Sequence, residues 1–207
     1  MFTHSKGENQ KTTKLDRIGK IAATQKDTVF NNIGHAVDLD LLRECYRQLD
    51  GNKAVGIDGV TKEAYGKMLE DNLQNLLAEI RRGGYKPQPA RIVEIPKEDG
   101  STRPLAISCL EDKIVQMAVT SVLTLIYEPL FLPCSYGYRE GIRSHDALKA
   151  LMAYSNKHEN GATVEIDLRK YFNLIQHAAL MAILHEKITD KRFLKLIEKL
   201  IRSKICG

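Results

Sequence analysis

Apolar residues recur at helical spacing over much of the chain. A stripe over residues 39–49 follows Asp38, which is well placed to cap a helix. A longer series over residues 62–82 repeats at i, i+3, i+4 and i+7 and ends at Gly83-Gly84. The same periodicity predicts further helices over residues 111–127, 144–156, 177–186 and 190–204.

The period changes to two in three short segments. Residues 91–96 and 103–108 alternate in this way and are joined by a turn that contains Asp99-Gly100, which is a strong β-hairpin signal. Residues 163–168 alternate likewise and predict a single strand. Helices, a hairpin, helices, a strand and helices in that order indicate an α+β fold rather than a regular βαβ alternation.

The composition limits the class of protein. The chain has 207 residues, of which 43% are hydrophobic and 28% charged, so it can bury a core. It has no apolar run of 18 residues and no apolar segment near its start, so we expect neither a membrane span nor a secretory signal. None of its four cysteines belongs to a C-x-x-C pair, so we expect free thiols in a reducing cytoplasm rather than a zinc site.

Basic residues are concentrated in three blocks. The net charge is +5, from 31 Lys and Arg against 26 Asp and Glu, and the blocks are residues 1–26, 81–104 and 187–207. Lys and Arg that neutralise phosphates release counterions, so such blocks are typical of proteins that bind a polyanion. Solvated protein faces carry similar runs, and both interpretations stay open from charge alone.

Three cations accompany the predicted hairpin, and a carboxylate lies near the end of the predicted strand. Lys97 and Arg103 flank the tight turn, and Arg91 opens the first strand. A stiff hairpin can hold cations over a phosphate chain, Arg through paired hydrogen bonds and Lys as a point charge. Asp167 could offer oxygen ligands to a metal ion in a cleft. The structural alternatives are solvated turn cations and an Asp that caps a helix or forms an ion pair.

Aromatic residues lie close to these candidates. Tyr171 and Phe172 follow Asp167, and Tyr138 and Arg139 stand in a loop rich in Gly and Tyr. Such side chains can stack on a base or a sugar, although aromatic rings more often fill a core. The sequence contains no G-x-x-x-x-G-K-[ST], H-E-x-x-H or G-x-S-x-G motif, so the site types that they mark are not indicated.

Taken in order, these segments resemble a known family. They are Gly56-Ile-Asp-Gly-Val-Thr61, Arg91-Ile-Val-Glu-Ile-Pro-Lys97-Glu-Asp-Gly-Ser-Thr-Arg103-Pro-Leu105, Asp112-Lys-Ile-Val-Gln116, Ser135-Tyr-Gly-Tyr-Arg139, Ser144-His145 and Val164-Glu-Ile-Asp167-Leu-Arg-Lys-Tyr-Phe172-Asn173. The set looks like the reverse transcriptases of bacterial group II introns. Residues 30–49 resemble the extra block that these and related non-LTR enzymes carry ahead of the first motif. Each motif is short, but their order and spacing make the combination specific.

The resemblance implies the right-hand fold of polymerases. Residues 37–110 would belong to the fingers, residues 111–207 to part of the palm, and residues 1–36 to a basic amino-terminal extension. The last helices could return to pack on the fingers. The fold class is therefore expected to be α+β, helix-rich, with a fingers hairpin and one palm strand.

The resemblance also implies roles for single residues. Asp167 matches the first catalytic carboxylate, a Mg²⁺ ligand, and Leu168 would offer its backbone carbonyl to the metal. Lys97 and Arg103 match the fingers residues that hold the triphosphate of the incoming nucleotide. Phe172 matches the aromatic gate that rejects a 2′-hydroxyl. The candidates for contact with RNA are Arg91, Tyr138 and Arg139.

The implied activity is RNA-directed DNA polymerisation together with help in intron splicing. Its partners would be an intron RNA template, a DNA primer and deoxynucleoside triphosphates, with Mg²⁺ as the cofactor. A cytoplasmic location is expected, and a homodimer stays an open option.

Two features depart from the family pattern. Asn173 replaces the usual Asp, at a position that is not a metal ligand in the family. The Pro-Gln-Gly block and the Tyr-X-Asp-Asp box of the family do not occur in the chain. Two-metal transfer needs several carboxylates, so the sequence predicts an amino-terminal fragment that is inactive by itself.

Two alternatives stay open. One is a non-catalytic RNA-binding module that grips intron RNA through its basic surfaces. The other is a relative such as a retron or CRISPR-associated reverse transcriptase, although the block at residues 30–49 weighs mildly against retrons.

Overall fold

The structure, a computed structural model, describes residues 13–96, 98, 100–157, 160–169 and 171–206. Its described residues fall into two units, which we treat separately. The hairpin unit combines Asp27–Thr124 with Gln176–Gly207, and the loop unit combines Met1–Lys26 with Leu125–Ile175. The division into extension, fingers and palm, expected from the sequence, stays a prediction.

Helices dominate the described residues, with one small sheet. In chain order the elements are α1 (Lys14–Thr24), α2 (Leu39–Gln48), α3 (Lys62–Gly66), α4 (Leu69–Arg82), β1 (Ala90–Pro96), β2 (Thr102–Ile107), α5 (Leu110–Tyr127), α6 (Ser144–Lys157), α7 (Tyr171–Leu174), α8 (His177–Lys187), α9 (Lys191–Ile201) and β3 (Ile205–Cys206), with single 3₁₀ turns at Gly34–Ala36 and Glu128–Leu130. No described helix is both long enough and apolar enough to cross a bilayer.

The predicted helix ends of the hairpin unit are confirmed where short polar residues or glycine set them. The Asp38 carboxylate accepts a hydrogen bond from the Leu41 amide at 3.1 Å, which caps α2. Gly83 ends α4 with φ +75°, a backbone conformation that costs glycine least. The apolar faces then meet in a core whose fully buried members include Leu42, Leu73, Ile114, Val122 and Phe193.

The long helix predicted over residues 62–82 is wrong as one element. It is broken into α3 and α4 at Met68, whose φ of −129° and ψ of 42° are not helical. The Asn72 side-chain amide donates to the Tyr65 carbonyl at 3.0 Å and so replaces a bond of the helix. Gly66 packs directly under the Tyr46 hydroxyl. Because both pieces face one core, their apolar residues keep the helical spacing across the break.

The predicted hairpin is confirmed, and it gains a third strand. Strands β1 and β2 pair antiparallel from Arg91↔Ile107 to Pro96↔Thr102. The short strand β3 pairs parallel to the start of β1, with Ala90 opposite Ile205. A strand of two residues is too short to show an alternating pattern, so the sequence offered no signal for β3.

The strand predicted over residues 163–168 does not form in the described part of the chain. The segment is exposed along its whole length, with Val164 at 78% and Ile166 at 81% exposure. A lone extended segment leaves its backbone N–H and C=O groups without a ladder, and alternation by itself does not supply a neighbouring strand.

The loop unit also contains a helix that the sequence analysis did not predict. Helix α1 begins with a reciprocal capping box between Thr13 and Asp16. Its buried residues, Ile18 and Ala22, lie one turn apart, and Gly19 faces Leu125 closely. The polar composition of residues 1–26 concealed this narrow apolar stripe.

The buried thiols agree with the prediction of free cysteines. Cys45 and Cys109 are buried and unpaired, whereas Cys134 is exposed and unpaired. Burial raises the pKa of the Cys45 thiol to about 11, so it stays protonated at neutral pH.

One buried carboxylate ties two distant parts of the hairpin unit together. Asp190 caps α9 by accepting from the amides of Arg192 and Phe193, and its second oxygen accepts from Ile33 and Gly34 at 2.9 and 2.8 Å. Burial pushes the pKa of Asp190 upward, but the four backbone hydrogen bonds outweigh it and leave the pKa below the ordinary carboxyl value.

We expect Asp190→Ala to lower the free energy of unfolding at pH 7 by about 2–4 kcal/mol, because four backbone donors lose their acceptor. The pKa of Asp190 is lower in the folded state than in the unfolded state, where it is about 3.9. Its stabilisation is therefore complete at neutral pH and disappears as the pH falls below that value. Urea titrations between pH 2 and pH 7 measure this, with exposed Asp27→Ala as the control. Equal losses in both variants would contradict the prediction.

Candidate functional site

The hairpin presents two of its predicted cations on one face. In the pairing register Arg91 is opposite Ile107, and Arg103 is opposite Ile95, so both arginines fall on the same side of the pleat. Four residues of strand separate these two pairs, or about 13 Å. Arg103 is exposed to solvent. Lys97 lies outside the described residues.

Arg91 is held inside the hairpin unit. Its Nη2 donates to the Val55 carbonyl at 3.0 Å, which attaches the loop before α3 to β1. Its Nε is buried and has no partner among the described residues. The predicted contact of Arg91 with RNA stays a prediction, and in this structure the side chain supports the loop.

The loop unit brings two predicted aromatic residues together. The rings of Tyr138 and Phe172 lie 5.7 Å apart at 88°, and the ring of Tyr171 lies 5.4 Å from Phe172. Tyr138 is 96% exposed and Phe172 is 66% exposed, so this aromatic cluster of three rings faces solvent. Tyr138 has φ +56°, which is uncommon for a residue with a side chain. The cluster therefore offers edges and faces on which a base or a sugar could stack.

Arg139 sits beneath the same loop with little freedom. Its Nε and Nη2 both donate to Glu128, at 2.9 and 2.6 Å, and its Nη1 donates to the carbonyls of Leu132 and Ser135. The guanidinium also lies 5.3 Å from the centre of the Phe131 ring. With four of its five N–H donors engaged, Arg139 holds the loop in shape, and its contact with RNA stays a prediction.

Asp167 lies on the exposed segment that precedes the aromatic cluster. Among the described residues, no hydrogen bond or ion pair to its side chain is found. The neighbouring Leu168 carbonyl accepts from the Tyr171 amide at 3.2 Å, which turns the chain into α7. A carboxylate and a carbonyl are oxygen donors of the kind that Mg²⁺ takes.

The described residues contain no group of three or more His, Cys, Asp or Glu side chains that could hold a metal ion. Asp167 and the Leu168 carbonyl are oxygen donors of the type that Mg²⁺ binds, and their role as its ligands stays a prediction.

The basic blocks are partly used within the protein. Arg82 pairs with Glu79, and Arg202 pairs with Glu198 at 2.9 Å. Lys199 donates to the carbonyls of Gly83 and Tyr85 at the end of α4. The basic blocks at residues 81–104 and 187–207 also contain exposed cations, which include Arg81, Lys86, Arg103, Lys191 and Lys195.

A buried cluster of acids and tyrosines was not predicted as functional. The hydroxyl of Tyr65 donates to Glu111 at 2.9 Å, and that of Tyr85 donates to Asp112 at 2.5 Å. Burial raises the pKa of both carboxyls, and the hydrogen bonds from tyrosine offset this only in part. A cavity of about 240 Å³ adjoins them. The only sequence signal was the Asp112 segment of the family resemblance, which does not tell which side chain it meets.

The class of protein is established by a comparison with known families. A family profile described as "Reverse transcriptase (RNA-dependent DNA polymerase)" matches residues 95–206, which is more than half of the chain. The matched region includes Arg103, Asp167 and Phe172. The chain belongs to the reverse transcriptase family.

Individual relatives show which members of the family the chain is similar to. The chain is 31% identical over 194 residues to the group II intron-encoded protein LtrA of Lactococcus lactis subsp. cremoris, which covers 91% of this chain and 32% of LtrA. It is 36% identical over 156 residues to protein YkfC of Escherichia coli, which covers 74% of this chain and 41% of YkfC. It is 30% identical over 195 residues to a 91 kDa protein in the cob intron of Schizosaccharomyces pombe, covering 92% and 24%. The predicted resemblance to group II intron reverse transcriptases is confirmed, and the chain spans less than half the length of these relatives.

We expect Arg139→Ala to loosen the loop that carries Tyr138, because its bonds to Glu128 and to two carbonyls are lost together. The loss should lower stability by about 1–3 kcal/mol and should speed proteolytic cleavage between residues 131 and 143. Limited proteolysis followed by mass spectrometry measures the rate. The exposed Arg143→Ala is the control, and equal cleavage rates for the two variants would contradict the role given to Arg139.

Proposed function

We propose that this chain is the fingers and part of the palm of a group II intron reverse transcriptase. In this proposal it binds template RNA and the incoming nucleotide and supplies the first catalytic aspartate. The observation that carries the proposal is the family match over residues 95–206, within which Arg103, Asp167 and Phe172 all stay exposed.

The hairpin would bind the triphosphate. Arg103 is exposed on a paired strand next to the turn, so its position is fixed while its guanidinium is free to form paired hydrogen bonds with phosphate. Lys97, across the turn in sequence, would add a second positive charge. Ile95 and Leu105 flank this face at 42% and 46% exposure and could contact the apolar parts of a nucleotide.

The loop unit would contribute the sugar and metal contacts. Phe172 rests edge-on against Tyr138, and a ring fixed in this way can exclude a 2′-hydroxyl by its bulk. Asp167 and the Leu168 carbonyl would hold Mg²⁺, which stabilises charge on the transferring phosphate when it is bound. One aspartate does not complete a two-metal site, and the 207 residues contain no Tyr-X-Asp-Asp sequence.

A second candidate function is RNA binding without catalysis. The exposed cations at Arg81, Lys86, Lys191 and Lys195 favour it, because they are available to phosphates whether or not an active site is complete. The two candidates differ in whether DNA synthesis takes place once RNA is bound, so one set of assays separates them.

We expect the 207-residue chain to bind structured intron RNA without extending a primer. Each phosphate contact should add about −0.7 to −0.9 to the slope of log K against log salt. Where the gene continues, its longer product should extend a primer with Mg²⁺. Asp167→Asn should reduce that extension about a thousandfold and leave RNA affinity within about twofold, because the carboxylate contacts metal rather than RNA.

Extension assays on an RNA template and RNA titrations at several salt concentrations measure both effects. A longer product that binds RNA with a steep salt slope but never extends a primer would favour the non-catalytic module. A flat salt slope would contradict both candidates.

We expect Arg103→Ala to weaken binding of a fluorescent dATP about tenfold or more, because a charge-assisted phosphate contact contributes about 1.5–3 kcal/mol. Anisotropy titrations of the chain measure the affinity. Arg81→Ala removes an exposed cation from α4 rather than from the hairpin, and serves as the matched control. Unchanged affinity in Arg103→Ala would exclude the triphosphate role.

A further inference from the structure

The segments that enter and leave the β1–β2 hairpin meet at one buried carboxylate. Asp112 lies in the first turn of α5, just after β2, and is 3% exposed. Its Oδ1 accepts a hydrogen bond from the Tyr85 hydroxyl at 2.5 Å, and its Oδ2 accepts one from the backbone N–H of Gln88 at 3.0 Å. Tyr85 and Gln88 lead into β1. Asp112 and Tyr85 thus form a clasp that joins the entry of the hairpin to its exit.

Other contacts fix the same entry. Lys199 of α9 donates to the Tyr85 carbonyl at 2.8 Å and to the Gly83 carbonyl at 2.7 Å. The Ala90 amide donates to the Lys204 carbonyl at 2.9 Å, next to the pairing of β3 with β1. The entry of the hairpin is therefore held both from α5 and from the α9–β3 segment.

The exit is equally constrained. Cys109 is 1% exposed, between β2 and α5. Gly56 packs so closely on it that a Cβ atom at position 56 would come within 2.5 Å of the Cys109 Cα. Because Gly56 packs closely on the exit backbone, the bonds that Asp112 accepts from Tyr85 and Gln88 attach the entry of the hairpin to a segment that is itself closely packed.

A paired hairpin behaves as a lever, so a small change at its base moves its end. The strand rise places Arg103 about 13 Å from the Arg91–Ile107 pair at the base. A tilt of about 5° over that length displaces Arg103 by about 1 Å. A displacement of 1 Å in a positioned group can cost about a hundredfold in rate.

A buried carboxylate is a costly way to gain stability alone. Desolvation opposes its charged form, as the raised pKa of Asp112 reflects, and well-packed apolar residues often stabilise a core at least as well. A carboxylate with two donors does, however, fix both distance and direction, which apolar contacts do not.

We propose that Asp112, through its clasp with Tyr85, is a positioning residue that sets the direction of the hairpin and so the contact of Arg103 with a nucleoside triphosphate. The inference rests on the proposed function of the hairpin. It adds that residues with no contact to nucleotide control the affinity for it.

The test measures binding of fluorescent dATP to the chain in Tyr85→Phe, which keeps the packed ring and removes only the hydroxyl. We expect affinity to fall about three- to tenfold. The matched control is Tyr65→Phe, since Tyr65 is also buried and donates to the neighbouring Glu111 but does not hold the hairpin. It should leave the affinity within about twofold at a comparable change in melting temperature. If Tyr85→Phe does not fold, Asp112→Leu, which accepts a hydrogen bond from neither donor, is measured instead.

A second arm places Tyr85→Phe in a Lys97→Ala/Arg103→Ala background. If the clasp acts through the hairpin cations, it should have no further effect there. An equal additional loss in that background, an equal loss in Tyr65→Phe, or wild-type affinity in Tyr85→Phe would each overturn the clasp while leaving the hairpin role intact. Wild-type affinity in Lys97→Ala/Arg103→Ala would overturn the proposed hairpin function, and the clasp with it.

Discussion

Two buried carboxylates that accept backbone and hydroxyl hydrogen bonds hold irregular segments of the hairpin unit against its helical core. Asp190 ties residues 33–34 to the start of α9, and Asp112 ties residues 85–88 to the start of α5. Each stands at a helix amino terminus, where unpaired amides and the helix dipole favour negative charge. Hydrogen bonds to these two carboxylates therefore orient the hairpin and residues 33–34 on the helical core.

The exposed chemistry of the chain divides between the two units. Arg103 stands on the hairpin, whereas Asp167 and Phe172 belong to the exposed segment of the loop unit. All three residues lie in the region that matches the reverse transcriptase family. Other cations are used within the protein, since Arg139 holds a loop through Glu128 and Lys199 donates to a carbonyl at the end of α4.

Sequence periodicity predicted most helices and the hairpin, because an apolar stripe needs only one buried face to be recognised. It failed where tertiary partners decide. At the break near Met68, Gly66 packs under the Tyr46 hydroxyl of another helix, and residues 163–168 have no partner strand among the described residues. In the candidate site, the family motifs identified Arg103, Asp167 and Phe172 as candidates, but motifs do not reveal that Arg139 is already occupied.

The sequence by itself determined the family, the helix caps such as Asp38 and the hairpin turn, since each depends on residue type and short spacing. Only the tertiary structure decided which polar groups are engaged. Tyr85 and Asp112 are 27 residues apart, and Ile33 and Asp190 are 157 apart, so no local pattern relates them. Hydrogen bonds between such residues form only after the core brings them within about 3 Å, and a sequence pattern carries no record of that distance.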